Sequence, residues 1–298
     1  MTFESIIYAD EVKHLCRRLM VNPKRVSITS VSGGFSNRAF HFAYLNRNWM
    51  VRLPIKNQKQ RVQALDTSEE GRLLKVIAEA GLTPSVVFND EITGALVTTY
   101  LKDAVTWNST MVGQSENLRR IAATLRSLHS VDVGFTLPLF KPTMVCERYF
   151  DLLRNSQENK NQKLNVEQKG WQADLRQLAV IYERSFPSIT LCHHDLVSGN
   201  ILDSKQLWLV DFEYAVQAHP ILDIASLVAL NGLNLHQRSL LLKFYFGEEV
   251  IPFNNSQLDE VIRLEQLISY FWALAQMNGS VKMPNVEGFA DSMTTMLR

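Results

Sequence analysis

Three polar side chains in one short stretch have the types and spacing that phosphoryl transfer requires. Asp195 and Asn200 belong to the pattern H-x-D-x-x-x-x-N, and Asp211 follows after an apolar run. Phosphoryl transfer needs a carboxylate to orient and deprotonate the attacking hydroxyl, and oxygen ligands for the magnesium ions that bridge the nucleotide phosphates. Asp195 suits the first role. Asn200 and Asp211 suit the second, because an amide oxygen and a carboxylate are hard ligands.

The stretch that carries these residues, 191–215, places polar and acidic side chains at the ends of short apolar runs. Loops at strand ends beside a cleft are where reactive groups are presented. Glu213, two positions after Asp211, adds a fixed negative charge nearby.

The elements that must position this stretch change character at about Leu101. Before it, short β-rich runs predict a small antiparallel sheet, with one helix over residues 67–81. After it, helical periodicity dominates, as in residues 117–130, 144–155 and 166–185. The sequence therefore predicts an α+β protein of two lobes, an N-terminal lobe over residues 1–101 and a larger, mostly helical C-terminal lobe over residues 102–298.

Composition excludes several classes of protein. The chain has 298 residues, 46% hydrophobic and 20% charged, which is too apolar for disorder. Its formal charge of +1 favours neither nucleic acid nor an anionic membrane. No leader pattern or membrane span is recognised, and the three cysteines have no disulfide or zinc spacing. We expect a cytoplasmic protein.

The motif order resembles the kinase-like phosphotransferases of the aminoglycoside phosphotransferase and choline kinase superfamily. DFEYA at residues 211–215 is most similar to choline and ethanolamine kinases, with thiamine kinases close behind. Further matches follow the family order: SGGFSNRAF (32–40), MVRLP (50–54), Glu70 ahead of AEAGL, LRSLH (125–129), LDIASL (222–227) and, more loosely, SYFWAL (269–274). The resemblance implies a bilobal protein-kinase-like fold and catalysis with ATP and Mg²⁺.

The resemblance also implies where ATP lies. Arg52 stands where a protein kinase has its phosphate-binding lysine, and its planar fork can contact phosphate while pairing with Glu70. Alternatively, Arg52 is a surface arginine on a strand, and Gly33 and Gly34 form an ordinary turn. The linker over residues 97–101 is expected to receive adenine through its backbone. The expected nucleotide-binding residues are Gly33, Gly34, Ser36, Asn37, Arg52, Glu70, Thr99 and Leu101.

The acceptor is expected in the C-terminal lobe. Choline kinases have a similar tryptophan-bearing helix that encloses the quaternary ammonium by cation–π contact. This implies roles for Trp272 and Tyr270, with Glu213 as a nearby charge, although the apolar stripe beside them is typical of a core helix. His193 and Asp223 are expected to hold the catalytic loop in place.

Several functions fit these residues. The first is an ATP-dependent kinase that phosphorylates a hydroxyl of a cationic amino alcohol, choline or ethanolamine. Thiamine kinase is the alternative within this chemistry, followed by aminoglycoside phosphotransferase. A catalytically inactive scaffold of the same fold is disfavoured, because Asp195, Asn200 and Asp211 are all present.

Overall fold

The computed structural model describes residues 9–31, 37–54, 62–90, 92–155, 164–187, 189–279 and 285–298. Its first part is a five-stranded antiparallel sheet with the order β1-β2-β3-β5-β4. These strands are β1 (Ser27–Val31), β2 (Asn37–Tyr44), β3 (Arg47–Pro54), β4 (Val86–Asp90) and β5 (Ala95–Thr99).

Alternation along β3 gives the sheet two different faces. Trp49, Val51 and Leu53 are buried in the apolar cluster of this lobe. Met50 and Arg52 are more exposed and line the cleft below the sheet. Because successive strand side chains point to opposite faces, the strand that builds the core also presents Arg52 to the cleft.

Two helices accompany this sheet, α1 (Ala9–Arg18) and α2 (Thr67–Glu79). A capping box between Asp66 and Glu69 begins α2 and satisfies backbone donors of its first turn. At Gly71 a Cβ atom would lie 2.6 Å from Asn89 Nδ2, so the missing side chain allows α2 to approach β4 closely. This approach brings the neighbouring Glu70, which is 3% exposed, under the sheet.

The rest of the chain is mostly helical. Its helices are α3 (Ser109–Val112), α4 (Ser115–His129), α5 (Pro142–Asn155), α6 (Val166–Ser185), α7 (Ile221–Asn231), α8 (Leu235–Phe246), α9 (Asn255–Met277) and α10 (Val286–Leu297). Short strands form two small sheets between them: β6 (Val105–Thr106), β7 (Thr190–Cys192), β8 (Ile201–Ser204), β9 (Gln206–Leu209) and β10 (Val216–Ala218). β7 ends immediately before His193, and the β8–β9 hairpin separates Asn200 from Asp211.

This architecture confirms the predicted bilobal α+β fold with an antiparallel sheet lobe and a helical lobe. The boundary at Leu101 stays a prediction. Leu73, Leu74 and Ile77 of α2 belong to the same apolar cluster as the helices of the second lobe, so the core is continuous across the cleft. Among the described residues, no helix has the length and apolar character to cross a membrane.

A fully buried carboxylate fastens α1 to the sheet. Asp90 Oδ2 accepts hydrogen bonds from Thr93 N at 2.9 Å and Thr93 Oγ1 at 2.6 Å. Its Oδ1 receives His14 Nε2 at 2.8 Å and Arg18 Nη1 at 3.3 Å, both from α1. Burial raises the pKa of Asp90, but the hydrogen bonds from Thr93 and His14 outweigh this and hold the pKa below its ordinary value.

Replacing this carboxylate should loosen the sheet lobe. We expect Asp90→Ala to lower the free energy of unfolding by about 2 to 4 kcal/mol, because it leaves the buried donors of Thr93 and His14 unpaired. Urea denaturation followed by circular dichroism measures the change. The wild-type advantage should be complete above the unfolded pKa of an aspartate and disappear as the pH falls through the lowered folded pKa. The control is Asp10→Ala on the same helix, where the exposed pair with Lys13 contributes little; equal effects of the two variants would contradict this account.

Candidate active site

The loop after β7 is held by one buried carboxylate. Asp223 of α7 is fully buried and accepts the backbone N–H groups of His193 and His194, each at 2.8 Å. His129 of α4 donates to the same carboxylate at 3.0 Å and pairs through its other ring nitrogen with Tyr245. Because both backbone N–H groups are bound by one buried side chain, the backbone immediately before Asp195 has little conformational freedom.

His193 also orients this loop. Its Nε2 donates to the carbonyl of Val210 at 2.9 Å, and its Nδ1 accepts the N–H of Asp195 at 3.3 Å. Burial lowers the pKa of His193, which keeps the imidazole in the neutral form that this arrangement requires. His193 therefore joins the loop of Asp195 to the strand end before Asp211.

Asp195 and Asn200 lie side by side. The Asn200 amide nitrogen donates to the backbone carbonyl and to Oδ2 of Asp195, both at 2.9 Å. These contacts use the amide nitrogen, so the side-chain oxygen of Asn200 takes no part in them. Burial raises the pKa of Asp195 to about 8, and the charges of Asp211 and Glu213 contribute to the same shift. A carboxyl group among further carboxylates has the character of a proton acceptor.

Asp211 joins the two lobes. It has the left-handed conformation, with φ 67°, which aspartate tolerates better than most residues. The Arg52 guanidinium forms ion pairs with both Asp211 and Glu70. Burial lowers the pKa of Arg52, but Glu70, Asp211 and Glu213 raise it by more, so the side chain stays charged.

Two cavities meet at these residues. The outer cavity lies between the sheet and the helical lobe, and its lining includes Thr99, Leu101 and Arg52. The inner cavity lies in the helical lobe and is lined by Asp195 and Glu213. Asn200 and Asp211 line both. The oxygen donors thus stand at the junction of the cavities, and Asp195 faces only the inner one.

The junction fits a divalent cation in the kind of donors that it offers. The side-chain oxygen of Asn200 and the carboxylate of Asp211 are hard ligands that Mg²⁺ accepts. Asp195 is engaged by the Asn200 amide instead. Asn200 and Asp211 are therefore the candidate metal ligands, and Asp195, which lines only the inner of the two cavities, is not one of them.

One face of α9 forms a wall of the inner cavity. Glu265, Ile268, Ser269 and Trp272 all line it, at the i, i+3, i+4, i+7 spacing of one helical face. Trp272 Nε1 donates to the Tyr214 hydroxyl at 3.2 Å. Trp272 therefore lines the inner cavity, and its contact with a substrate stays a prediction.

Tyr270 lies on another face of α9. It is 4% exposed, packs edge-on against Trp171 at 4.9 Å between ring centroids, and receives a hydrogen bond from Gln168 on its hydroxyl. The structure does not bring Tyr270 into the inner cavity with Trp272. Side chains two positions apart on an α-helix point in nearly opposite directions. Helical spacing alone could therefore have predicted that Tyr270 and Trp272 lie on different faces.

Sequence reasoning missed several lining residues. Tyr149, Tyr214, Phe289 and Glu265 all contribute to the inner cavity. Counting back from Trp272 at helical spacing finds Glu265. No comparable signal was found for Tyr149 and Phe289, which arrive from α5 and α10 through tertiary packing.

The remaining expected residues belong to the sheet lobe. Gly33, Gly34 and Ser36 lie outside the described residues, as does the side chain of Asn37, whose backbone begins β2. Tyr100, at the linker, stacks on His41 at 3.8 Å between ring centroids. The roles assigned to the glycine loop stay predictions.

Comparison with known proteins finds similar proteins of one kind, the phosphotransferases. The model of the phosphotransferase enzyme family matches residues 27–250. Protein LicA of Haemophilus influenzae is 26% identical over 175 residues, 57% of this chain and 62% of the relative, so the chain spans less than two thirds of that protein. Choline kinase LicA from Streptococcus pneumoniae has a TM-score of 0.79 at 19% identity, covering 97% of this chain and 98% of that one. A choline/ethanolamine kinase family protein from Mesorhizobium loti has a TM-score of 0.77 at 21% identity, covering 97% and 92%.

The solved structures share the fold at low sequence identity. The family match is broader than any single motif, since it begins at the first strand and ends beyond α8. The matched range includes Arg52, Asp195, Asn200 and Asp211. With more than half of its residues matched, the chain belongs to the phosphotransferase enzyme family.

Proposed function

We propose that this chain is an ATP-dependent kinase that phosphorylates the hydroxyl of a small cationic alcohol, with choline as the preferred acceptor. One observation carries the proposal: Asn200 and Asp211 line both cavities, while Asp195 faces only the inner one. A nucleotide in the outer cavity and an alcohol in the inner cavity would meet at a pair of metal-type ligands, with a carboxylate on the acceptor side.

ATP is assigned to the outer cavity. Thr99 and Leu101 border it at the linker, where backbone groups can receive adenine, and Arg52 borders it at the far end. Arginine suits a phosphate site because its planar fork can form two parallel hydrogen bonds. Glu70 holds that fork in place from α2. Magnesium, held by Asn200 and Asp211, would neutralise charge on the phosphates.

We assign to Asp195 the role of taking the proton from the hydroxyl group of the acceptor. Its position beside the inner cavity lets it receive a hydrogen bond from the alcohol and take the proton as the oxygen attacks. The Asn200 amide fixes the carboxylate from one side, and the loop contacts to Asp223 fix its backbone. Positioning of this kind supplies much of the catalysis in phosphoryl transfer.

The lining of the inner cavity supports a cationic acceptor. Aromatic side chains come from Tyr149, Tyr214, Trp272 and Phe289, and carboxylates from Glu213 and neighbouring residues. Aromatic faces attract a desolvated cation by about 1 to 2 kcal/mol each. A trimethylammonium group offers methyl surface for such faces and a charge for the carboxylates.

The acceptor can be identified with purified protein. We expect release of ADP with Mg-ATP and choline, slower turnover of ethanolamine because it presents less apolar surface to the aromatic lining, and little with thiamine or kanamycin. A coupled ADP-release assay over these four alcohols measures the order. Turnover of kanamycin alone would contradict the proposal.

Asp195 can be tested without changing its shape. Asp195→Asn should lower kcat by about a thousandfold, because an amide cannot accept the hydroxyl proton. Nucleotide affinity, measured by calorimetry, should be unchanged. The matched control is Asp103→Asn, an exposed aspartate that lies outside both cavities. Wild-type turnover by the Asp195 variant would refute the assignment.

Arg52 can be tested by keeping its charge and removing its fork. Arg52→Lys should raise the KM for ATP by about tenfold or more, since an ammonium group cannot contact phosphate and Glu70 with the same geometry. The KM for choline should change little. Steady-state kinetics with each substrate varied in turn separates the two effects, and a larger change for choline than for ATP would count against this role.

A further inference from the structure

Glu265 is an acidic side chain buried in the wall of the inner cavity. It lies near the middle of α9, is 2% exposed, and shares the cavity-lining face with Ile268, Ser269 and Trp272. Burying a carboxylate costs several kcal/mol unless a cation or hydrogen-bond donors compensate. The position therefore needs a partner of positive charge.

Glu265 has one ion-pair partner among the described residues. His194 Nε2 lies 3.3 Å from Glu265 Oε1. The His194 ring is held elsewhere as well, edge-on against Phe140 at 4.5 Å between centroids. Glu265 thus lines the cavity with a carboxylate that pairs with one histidine among the described residues.

The charges around the cavity leave a negative excess. Of the described residues that line it, four are acidic, Asp195, Asp211, Glu213 and Glu265, and His194 alone is basic. Arg52 pairs with Asp211 from the other side of the cleft. Glu265 lies on a different element from the other three carboxylates, which belong to the loops around β8 and β9.

We propose that Glu265 is the residue that selects a cationic acceptor, its carboxylate providing the counter-charge for the substrate's ammonium group. The inference rests on the proposed function and names the residue that sets its specificity. Trp272, about two turns further along the same face, supplies apolar contact to the same group. A neutral alcohol of equal shape would leave the buried carboxylate without its cation, and so bind less well.

A purely structural pairing of Glu265 with His194 makes a different prediction. In that case removal of the carboxylate would destabilise the fold and lower activity on every acceptor alike. Charge selection requires instead that the loss fall on cationic acceptors. Comparing a cation with its uncharged isostere separates the two roles.

The test uses choline and its carbon isostere, in which a tert-butyl group replaces trimethylammonium. Wild-type protein should prefer choline in kcat/KM, and Glu265→Gln should reduce that preference by about tenfold or more, mainly through the KM for choline. The KM for ATP should be unchanged. Glu260→Gln, on the same helix but outside the cavity lining, is the matched control and should keep the wild-type preference.

Two further variants keep the test decisive. His194→Asn suits the positive φ of 63° at that position and removes the resident cation; choline preference should be kept or increased. If Glu265→Gln does not fold, Glu265→Asp, which draws the charge back by one methylene, should raise the KM for choline and leave the isostere unaffected.

The outcomes are distinguishable. A wild-type protein that prefers choline together with a Glu265→Gln variant of unchanged preference overturns the inference alone. Equal losses on both alcohols, reproduced by His194→Asn, would assign the pair a structural role and also overturn it. A wild-type protein that phosphorylates no cationic alcohol would contradict the proposed function itself.

Discussion

The Arg52 guanidinium lies between Glu70 of the sheet lobe and Asp211 of the helical lobe, and these two ion pairs join the sides of the cleft. A largely buried guanidinium requires carboxylate partners, and here they come from opposite sides of the cleft. Glu70 reaches Arg52 because α2 approaches β4 closely at Gly71. The same contacts set the junction where Asn200 and Asp211 line both cavities.

A second constraint acts on the helical side. Asp223 takes the backbone donors of His193 and His194, and His193 connects the loop to Val210. The loop before Asp195 and the strand end before Asp211 are thereby fixed to one another. Since phosphoryl transfer depends on alignment more than on covalent chemistry, rigid placement of these few groups is what the fold has to supply.

Local sequence patterns were enough to predict some elements and contacts of the structure. The helix over residues 166–185 has the bounds that its periodicity predicts, and the spacing of Asp195 and Asn200 within one loop places them in contact. To predict which side chains of α9 face the cavity, helical geometry had to be considered in addition to residue type. Tyr270 and Trp272 are both aromatic, but helical geometry turns them to different faces, and only Trp272 lines the cavity.

The rest depends on contacts between distant segments. The pairing of β7 with β10 joins three residues to three others across the catalytic stretch, and such short strands carry almost no periodic signal. Glu265 and His194 are 71 positions apart in sequence yet 3.3 Å apart in space. Their encounter follows from the packing of α9 against the core of the helical lobe, which no local pattern encodes.

A crystal structure with Mg²⁺, choline and a non-hydrolysable ATP analogue would test the assignment of the two cavities. We expect the nucleotide between β3 and the linker with its phosphates near Arg52, the metal on Asn200 and Asp211, and the choline hydroxyl within hydrogen-bonding distance of Asp195. Choline bound outside the inner cavity, or phosphates directed away from the junction of the two cavities, would contradict it.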